Sequence, residues 1–579
     1  MAPESPASDR TLSRRTLLAG TTAGALVTTS GCIREVRNII RRSPDEQLSL
    51  SIATVPGDAD SQAVDIATRL QAALEVAGID AELDMLSREE FYREILINHE
   101  FDIFVGRHPG GIDPEFLYEA LHSRFADEWG WQNPFGFTNI TFDEGLDRQR
   151  EQDGEERQRA VREVLRSVAN EQPLTPICRP AEQRLASAER FDGWGRHHPE
   201  DRLAYLDLDP ESGVSELRGV IVDARPTKNL NPLSAEYRNR STFVDLIYDS
   251  LATYDGDSFV PWLAEEWEWE ESTASVQLRE AYWHDGESVT ADDVAFTYDL
   301  IADTSLGEDE VASPAPKYRG VTTAIEGVDV VTNRELRIDA VGGADAATVA
   351  FSVPVLPEHI WSDRSEAAEL PGVDVAEGTT EAVVTDNVPP IGSGPFEFVE
   401  RSERSRLELA RNEDHFAIGT IDLPSPGIDR FVVDVAPNHA EAIEAITAGE
   451  ADVTISSLDP QVVDEQLSSD EDHLLESPSR TVYCLGFNTR QAPLGNPYFR
   501  RNVASLLNKG YLADELFAGK ATPVATPLTG DWVPDDLYWA NSDPVVPFLG
   551  EDGDLDEAAV RNAFEEAGYR YDGEGRLLG

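Results

Sequence analysis

The chain has 579 residues, enough for two or three domains with cores of their own. Asp and Glu number 109 against 48 Lys and Arg, a formal charge of −61, and only four of the basic residues are Lys (Lys228, Lys317, Lys509, Lys520). This balance excludes nucleic acid, which needs a basic footprint, and acids spread through nearly every segment point to a surface adapted to high salt, where a Debye length of about 3 Å screens self-repulsion.

The N-terminus carries Ser13-Arg14-Arg15-Thr16-Leu17-Leu18, an apolar run over 17–27, and then Thr29-Ser30-Gly31-Cys32. A run this short does not span a bilayer and reads as a removable signal. The twin arginines indicate export of an already folded protein. Ser30-Gly31-Cys32 fits the end of a lipobox, whose Cys takes a diacylglycerol, with Thr29 where Leu is usual. Residues 33–42 then set Arg34, Arg37, Arg41 and Arg42 among Ile33, Val36, Ile39 and Ile40. This basic decamer suits an anionic lipid surface and equally a plain spacer.

Leu48-Ser49-Leu50-Ser51-Ile52 alternates as a strand, and Ala67, Leu70, Leu74 and Val76 predict a helix over 65–78. Phe101-Asp102-Ile103-Phe104-Val105-Gly106 predicts a buried strand leading into a loop. Residues 157–169 form a charged helix with Val161, Val164, Leu165 and Val168 on one face, and 173–177 a Pro-containing strand. The stretch 207–215 has linker chemistry. Beyond it, 217–223 is a strand and Asn229-Leu230-Asn231-Pro232 a loop. Thr290 with Asp293 gives a capping-box start for a helix through Ile301. No hydrophobic run after the signal is long enough to cross a membrane.

Two sets of motifs carry a resemblance. The first is Ile247-Tyr248-Asp249-Ser250-Leu251, Pro261-Trp262-Leu263-Ala264-Glu265-Glu266-Trp267, Leu278-Arg279 and His284-Asp285-Gly286-Glu287 through Asp292-Asp293-Val294. The second is Pro390-Ile391-Gly392-Ser393-Gly394-Pro395-Phe396, Phe487-Asn488 and Phe499-Arg500-Arg501-Asn502-Val503. Together they resemble the family 5 extracellular solute-binding proteins, the dipeptide, oligopeptide and nickel receptors of ABC importers. The resemblance implies an α/β, two-lobed, periplasmic-binding-protein-like (type II) fold with a small extra domain on lobe I and the ligand enclosed between lobes.

It also implies an unusual chain order. Relatives open near the equivalent of Leu217-Arg218-Gly219-Val220, whereas here the residues before it look like the family's C-terminal part. Ala567-Gly568-Tyr569 and Asp572-Gly573-Glu574-Gly575 form a pattern that relatives follow with a strand and an amphipathic helix, the signals found at 48–54 and 65–78. The expectation is a circular permutant. Residues 1–31 are the twin-arginine lipoprotein signal, 32–45 a basic tether and 46–184 the first part of lobe II. Residues 185–480 are lobe I with its extra domain and a linker at 207–216, and 481–579 are the second part of lobe II.

The chain has no Gly-Lys-Ser/Thr phosphate loop, no Cys-x-x-Cys pair and no Gly-x-Ser-x-Gly elbow. His284-Asp285-Gly286 reads as a turn that marks the fold rather than a catalytic pair. His197-His198 reads as a solvated doublet, since neighbours on a strand face opposite ways. By the resemblance Cys178 and Cys484 lie where the chain crosses between lobes and pack as buried thiols, in a compartment that also permits a disulfide. An enzyme, a cofactor and a metal are not expected.

One departure bears on the ligand. In peptide-binding relatives the segment after the 101–105 strand reads Gly-Trp-x-x-Asp, then an acidic residue and Pro, and its Asp pairs with the peptide's α-ammonium. Here Gly106-Arg107-His108-Pro109-Gly110-Gly111-Ile112-Asp113-Pro114 aligns Arg107 with the Trp and Gly110 with the Asp. A buried ammonium without its carboxylate is costly, so a free amino terminus is disfavoured unless Asp113 substitutes, and Arg107 suits a carboxylate or polyol. The ligand-binding residues implied are Arg107, His108 and Asp113, Thr227 and Asn229 on lobe I, Tyr318 in the extra domain, and Asn488 and Arg490 beyond the crossover strand. Each also fits a packing or loop role. The expected protein is a lipid-anchored, monomeric receptor on the outer face of the cytoplasmic membrane that closes on a peptide-like or other small polar solute and delivers it to ABC permease subunits. A sensory receptor of the same fold without transport is the alternative.

Overall fold

The computed structural model describes residues 46–234, 242–308, 312–368, 379–420, 423–467 and 474–579. The expected signal, Cys32 and the basic decamer lie outside the described residues. The alternation at 48–52 builds β1 (Ser49–Thr54), followed by β2 (Asp80–Met85), β3 (Ile103–His108) and β4 (Leu174–Leu185). They belong to a seven-stranded sheet ordered Leu474–Pro478, β4, Val482–Phe487, β3, β1, β2, with Ala521–Pro523 also paired to β4. β1 is parallel to β2 and β3, whereas Val482–Phe487 is antiparallel to β3 and β4.

The helix after β1 runs Ser61–Val76 and starts earlier than the apolar spacing predicts. Asp60 is its N-cap and accepts from the Ala63 N–H at 3.0 Å. From that start the buried stripe is Ala63, Ile66, Ala67, Leu70, Ala73 and Leu74, which leaves Val76 exposed. The charged helix runs Gly154–Glu171 and buries Val161, Val164, Leu165 and Val168 as its periodicity requires.

One hydrophobic core joins residues between Leu48 and Cys178 with residues between Tyr483 and Leu577. A second core, between Ala186 and Ile455, lies against a five-stranded sheet of Phe396–Ser402, Arg406–Arg411, Arg430–Val435, Glu216–Ile221 and Val453–Thr454. A third fills a four-stranded antiparallel sheet of Ala264–Glu270, Thr273–Leu278, Glu335–Ala340 and Ile325–Thr332. The architecture is α/β with two lobes: lobe II carries the seven-stranded sheet, lobe I the five-stranded sheet with the four-stranded layer beside it.

β4 belongs to both lobes. Its twelve residues span about 40 Å at roughly 3.3 Å each. Its first half pairs with Val482–Phe487 in lobe II, while Ala181 to Leu185 pair with Leu474–Pro478. Leu185 N–H then donates to Thr454 Oγ1 of lobe I at 2.9 Å. The expected linker is not free chain either, because Asp209–Pro210 pairs with Phe191–Asp192 before Glu216–Ile221 begins.

The motifs of lobe I converge on one another. The Gly392 N–H donates to His284 Nδ1 at 3.3 Å, so Nε2 carries the proton and donates to Gly394 O at 3.0 Å. A Cβ on Gly392 would sit 1.9 Å from Ile247 O, and one on Gly394 would sit 2.6 Å from the Ile247 carbonyl carbon and Leu246 O. His284 therefore clamps a backbone turn that only glycine lets approach the Ile247 helix end. The Thr290–Asp293 capping box forms at the start of Ala291–Ala302. Among the described residues no helix is long and apolar enough to cross a membrane.

Candidate functional site

The two lobes meet along facing edges. On one side Gln62 Nε2 and Ser61 Oγ of lobe II donate to Asp459 Oδ2 of lobe I at 3.1 and 3.4 Å, and Arg88 lies 4.0 Å from Asp223. On the other, Gln132 Nε2 donates to Ala315 O at 3.1 Å, and Arg150 donates to Thr323 Oγ1 at 3.0 Å and Gly320 O at 3.3 Å. Gly154 N–H reaches Asp345 Oδ2 and Asp345 N–H reaches Asp153 Oδ1, both at 2.8 Å. These contacts are side-chain to side-chain or side-chain to backbone, and among the described residues no hydrophobic core spans them.

Arg107 is the penultimate residue of β3, where parallel β1 and β3 present their carboxyl ends beside the start of the Ser61–Val76 helix. Open α/β sheets hold ligands at that edge. Its Nε donates to Asp60 Oδ2 at 2.8 Å, and the guanidinium lies 4.8 Å from the centre of the Tyr483 ring, opposite it on Val482–Phe487. The Tyr483 hydroxyl donates to both Asp60 oxygens, at 2.8 and 3.0 Å. Burial pulls the Arg107 pKa down, but the charges of Asp60, Tyr483 and Glu182 together with the Asp60 hydrogen bond outweigh it and raise it. Burial likewise pushes the Tyr483 phenol well up, so it stays a donor.

The other expected residues are placed differently. His108 is buried in the lobe II core, 5.2 Å from the Trp131 ring, with its Nδ1 accepting from the Gly110 N–H. Gly110 has φ +63°, and a Cβ there would meet Arg480 O at 2.4 Å, so an Asp at this position would be strained in both respects. Asp113 faces Arg157, which is buried, through contacts of 2.5 and 3.0 Å, and it also accepts from the Glu115 N–H. Thr227 is buried and accepts from the Arg404 N–H, and Asn229 accepts from the Asn231 N–H within its own loop. Tyr318 lies under the Lys317 ammonium at 4.6 Å. Asn488 donates to His99 O and Phe101 O, and Arg490 to Pro134 O, so both tie loops within lobe II. Of the eight, Asn488 and Arg490 touch one another. Sequence reasoning missed Asp60 and Tyr483. The cap pattern Asp60-Ser61-Gln62-Ala63 was the available signal for the first; nothing local marks the second.

The crossing strands are tied down by charge. Arg480 makes a two-pronged pair with Asp201 at 2.5 and 2.7 Å, and buried Arg184 pairs with Glu182 at 2.6 Å. Cys178 lies opposite Tyr483 while Cys484 lies opposite Pro176, with a register shift between. The two thiols are free and buried, and burial pushes each up to about 12. His197-His198 sits in a turn rather than a strand. His197 lies 3.4 Å from Asp207, and His198 Nε2 lies 3.1 Å from Pro478 O. Burial, then Arg480, pulls His198 down to about 4, so it is neutral and half-buried rather than solvated. A shallow recess of about 450 Å³ on lobe I, lined by His197, Asp207, Asp255 and Trp262 among others, shares none of the eight expected residues. Among the described residues no group of three or more His, Cys, Asp or Glu is placed to hold a metal ion.

Residues 258–578 match the model of the bacterial extracellular solute-binding proteins, family 5 Middle, and the chain belongs to that family. It is a family of binding proteins, not of enzymes. A putative ABC transporter peptide-binding protein of Brucella ovis is 27% identical over 346 residues, 59% of this chain and 58% of that one. A probable di/tripeptide-binding protein of Pseudomonas aeruginosa is 24% identical over 52% of this chain and 56% of that one. This chain thus spans under two thirds of the length of these curated relatives. Among solved structures, an oligopeptide-binding protein of Bacillus subtilis in complex with a nonapeptide matches with a TM-score of 0.44 and 18% identity, covering 63% of this chain and 66% of that one. A Campylobacter jejuni protein in complex with Ni(L-His) matches with a TM-score of 0.41 and 18% identity over 62% and 65%.

Proposed function

We propose that this protein is a lipid-anchored, extracellular solute receptor of an ABC importer. It closes two lobes on a small polar or peptide-like solute and presents it to the permease. The observation that carries this reading is the polar seam between two separately cored lobes. Contacts such as Gln62–Asp459 and Gln132–Ala315 exchange readily for water, so opening exposes little apolar surface and costs little. A solute that touches both lobes then favours the closed state by its differential affinity. The test is a thermal-shift screen of peptides, sugars, organic acids and metal complexes in molar KCl, where a solute at a hundred times its Kd adds about 2.7 kcal/mol of stability. At least one should raise the melting temperature; a flat response across all classes would count against a receptor. For the anchor, Cys32→Ala should move the protein from the membrane fraction to the medium or leave an unprocessed precursor. Unchanged fractionation would assign anchoring to the signal segment or to the arginine-rich decamer.

The chain order is read as a circular permutation. Its support is that residues on both sides of lobe I share one core, and that the last strand closes onto the first. Leu48 N–H donates to Leu577 O and Leu577 N–H to Gly78 O, both at 2.8 Å. A variant that joins Leu578 to Gln47 through a short Gly-Ser linker and opens the chain within 211–215 should therefore fold with a melting temperature close to that of the parent, because the same contacts form. Aggregation of that variant in molar KCl would argue that the present order is needed for folding.

A further inference from the structure

Resting on the receptor reading above, we propose that the Arg107 guanidinium is the recognition point for a carboxylate of the solute, so that the binding site selects acids. Three observations meet here. First, Arg107 is anchored on one edge only. Its Nε is held by Asp60, which is itself fixed by the Tyr483 hydroxyl and by capping the Ser61–Val76 helix. Among the described residues Nη1 and Nη2 have no hydrogen-bond partner, and the side chain is 32% exposed. A planar fork fixed through Nε offers two parallel N–H donors, the geometry that a carboxylate accepts.

Second, the fork stands at the seam. Asp60 directly precedes Ser61 and Gln62, which reach Asp459 of lobe I, and Arg88, which donates to Ala59 O, faces Asp223 of lobe I. A solute held by Arg107 therefore lies where the other lobe can also touch it.

Third, the acids that could receive an ammonium nearby are already committed. Asp60 is shared by Arg107 and Tyr483, and Glu182, the other carboxylate whose charge acts on Arg107, is paired with Arg184. Asp113 on the following loop is paired with Arg157, and Gly110 stands at left-handed φ against Arg480 O, where no Asp fits. An ammonium entering here would lose its water without gaining a free carboxylate. A carboxylate would gain two charge-assisted hydrogen bonds.

The test uses the full chain in molar KCl and calorimetry with a matched set. The set is N-acetyl-dialanine, with a carboxylate only, dialanine amide, with an ammonium only, N-acetyl-dialanine amide, with neither, and gluconate against glucose. Members bearing a carboxylate should bind, and their amide or neutral counterparts should bind at least about 30-fold more weakly. Arg107→Lys keeps the charge beside Asp60 but lacks the fork, and should weaken acids by about tenfold or more while leaving the unliganded melting temperature near that of the parent. Arg107→Gln combined with Asp60→Asn removes both charges together and should abolish the preference for acids. If neutral or ammonium-bearing members bind best, or if acids bind Arg107→Lys as they bind the parent, the assignment of Arg107 is wrong and the receptor reading stands. If no member of any class binds, the assignment of Arg107 is wrong, and the receptor reading falls with it only where the solute screen is flat as well.

Discussion

Dilution from molar to millimolar KCl is expected to lower the melting temperature by about 10 °C or more. The excess of 61 acidic charges is set by 109 Asp and Glu against 48 Lys and Arg. As the Debye length grows from about 3 Å at 1 M to about 30 Å at 0.01 M, carboxylates on neighbouring elements begin to repel. The edge strand Ala264–Glu270 shows the density involved: Glu265, Glu266, Glu268 and Glu270 are all exposed on seven residues. Net stability in globular domains is on the order of 5–15 kcal/mol, so a repulsion of several kcal/mol is a large fraction of it. Circular-dichroism melts across a KCl series decide the matter, and melts that coincide from molar to millimolar salt would refute a halophilic surface.

Asp249→Ala should be the most damaging single substitution in lobe I, at about 3–5 kcal/mol. Asp249 is fully buried. One of its oxygens accepts from Trp262 Nε1 at 2.7 Å, from Arg202 Nη1 at 3.3 Å and from His415 Nε2 at 3.3 Å. Removing it leaves the Arg202 guanidinium, itself 4% exposed, without its carboxylate. Asp249→Asn should cost less, because the amide oxygen still accepts from Trp262. Burial raises the Asp249 pKa, but His415 and Arg202 win and hold it below the ordinary carboxylate value. Its contribution is therefore present above about pH 4, the unfolded value, and is lost as pH falls through the lower folded value. Melts of the two variants in molar KCl, read at pH 7, should rank parent, Asn, Ala; equal stability of Ala and parent would show that Arg202 finds water instead.

Local chemistry made much of this protein readable in advance. The capping box at Thr290–Asp293, the buried stripe of the 154–171 helix and the alternation of β1 follow from interactions between residues a few positions apart. The family and the α/β class were also legible, because His284, Gly392, Gly394, Asp249 and Trp262 are fold-building residues. Their types are dictated by one crowded turn and one buried charge.

What the sequence could not reveal were partners distant along the chain. Asp60, Arg107 and Tyr483 lie 47 and 423 positions apart in their hydrogen-bonded pairs, and only the pairing of Val482–Phe487 with β3 brings them together. The pairing of Val482–Phe487 with β4, on its other side, set Cys178 opposite Tyr483 rather than Cys484. Asp113 looked available as a substitute carboxylate until the fold placed Arg157 against it. Composition and short-range pattern determine salt response, element type and family, because they depend on charge density and on contacts within a turn or two. Which charges are free to meet a ligand is decided by tertiary pairing, because a buried ion takes whichever partner the fold brings within hydrogen-bond reach.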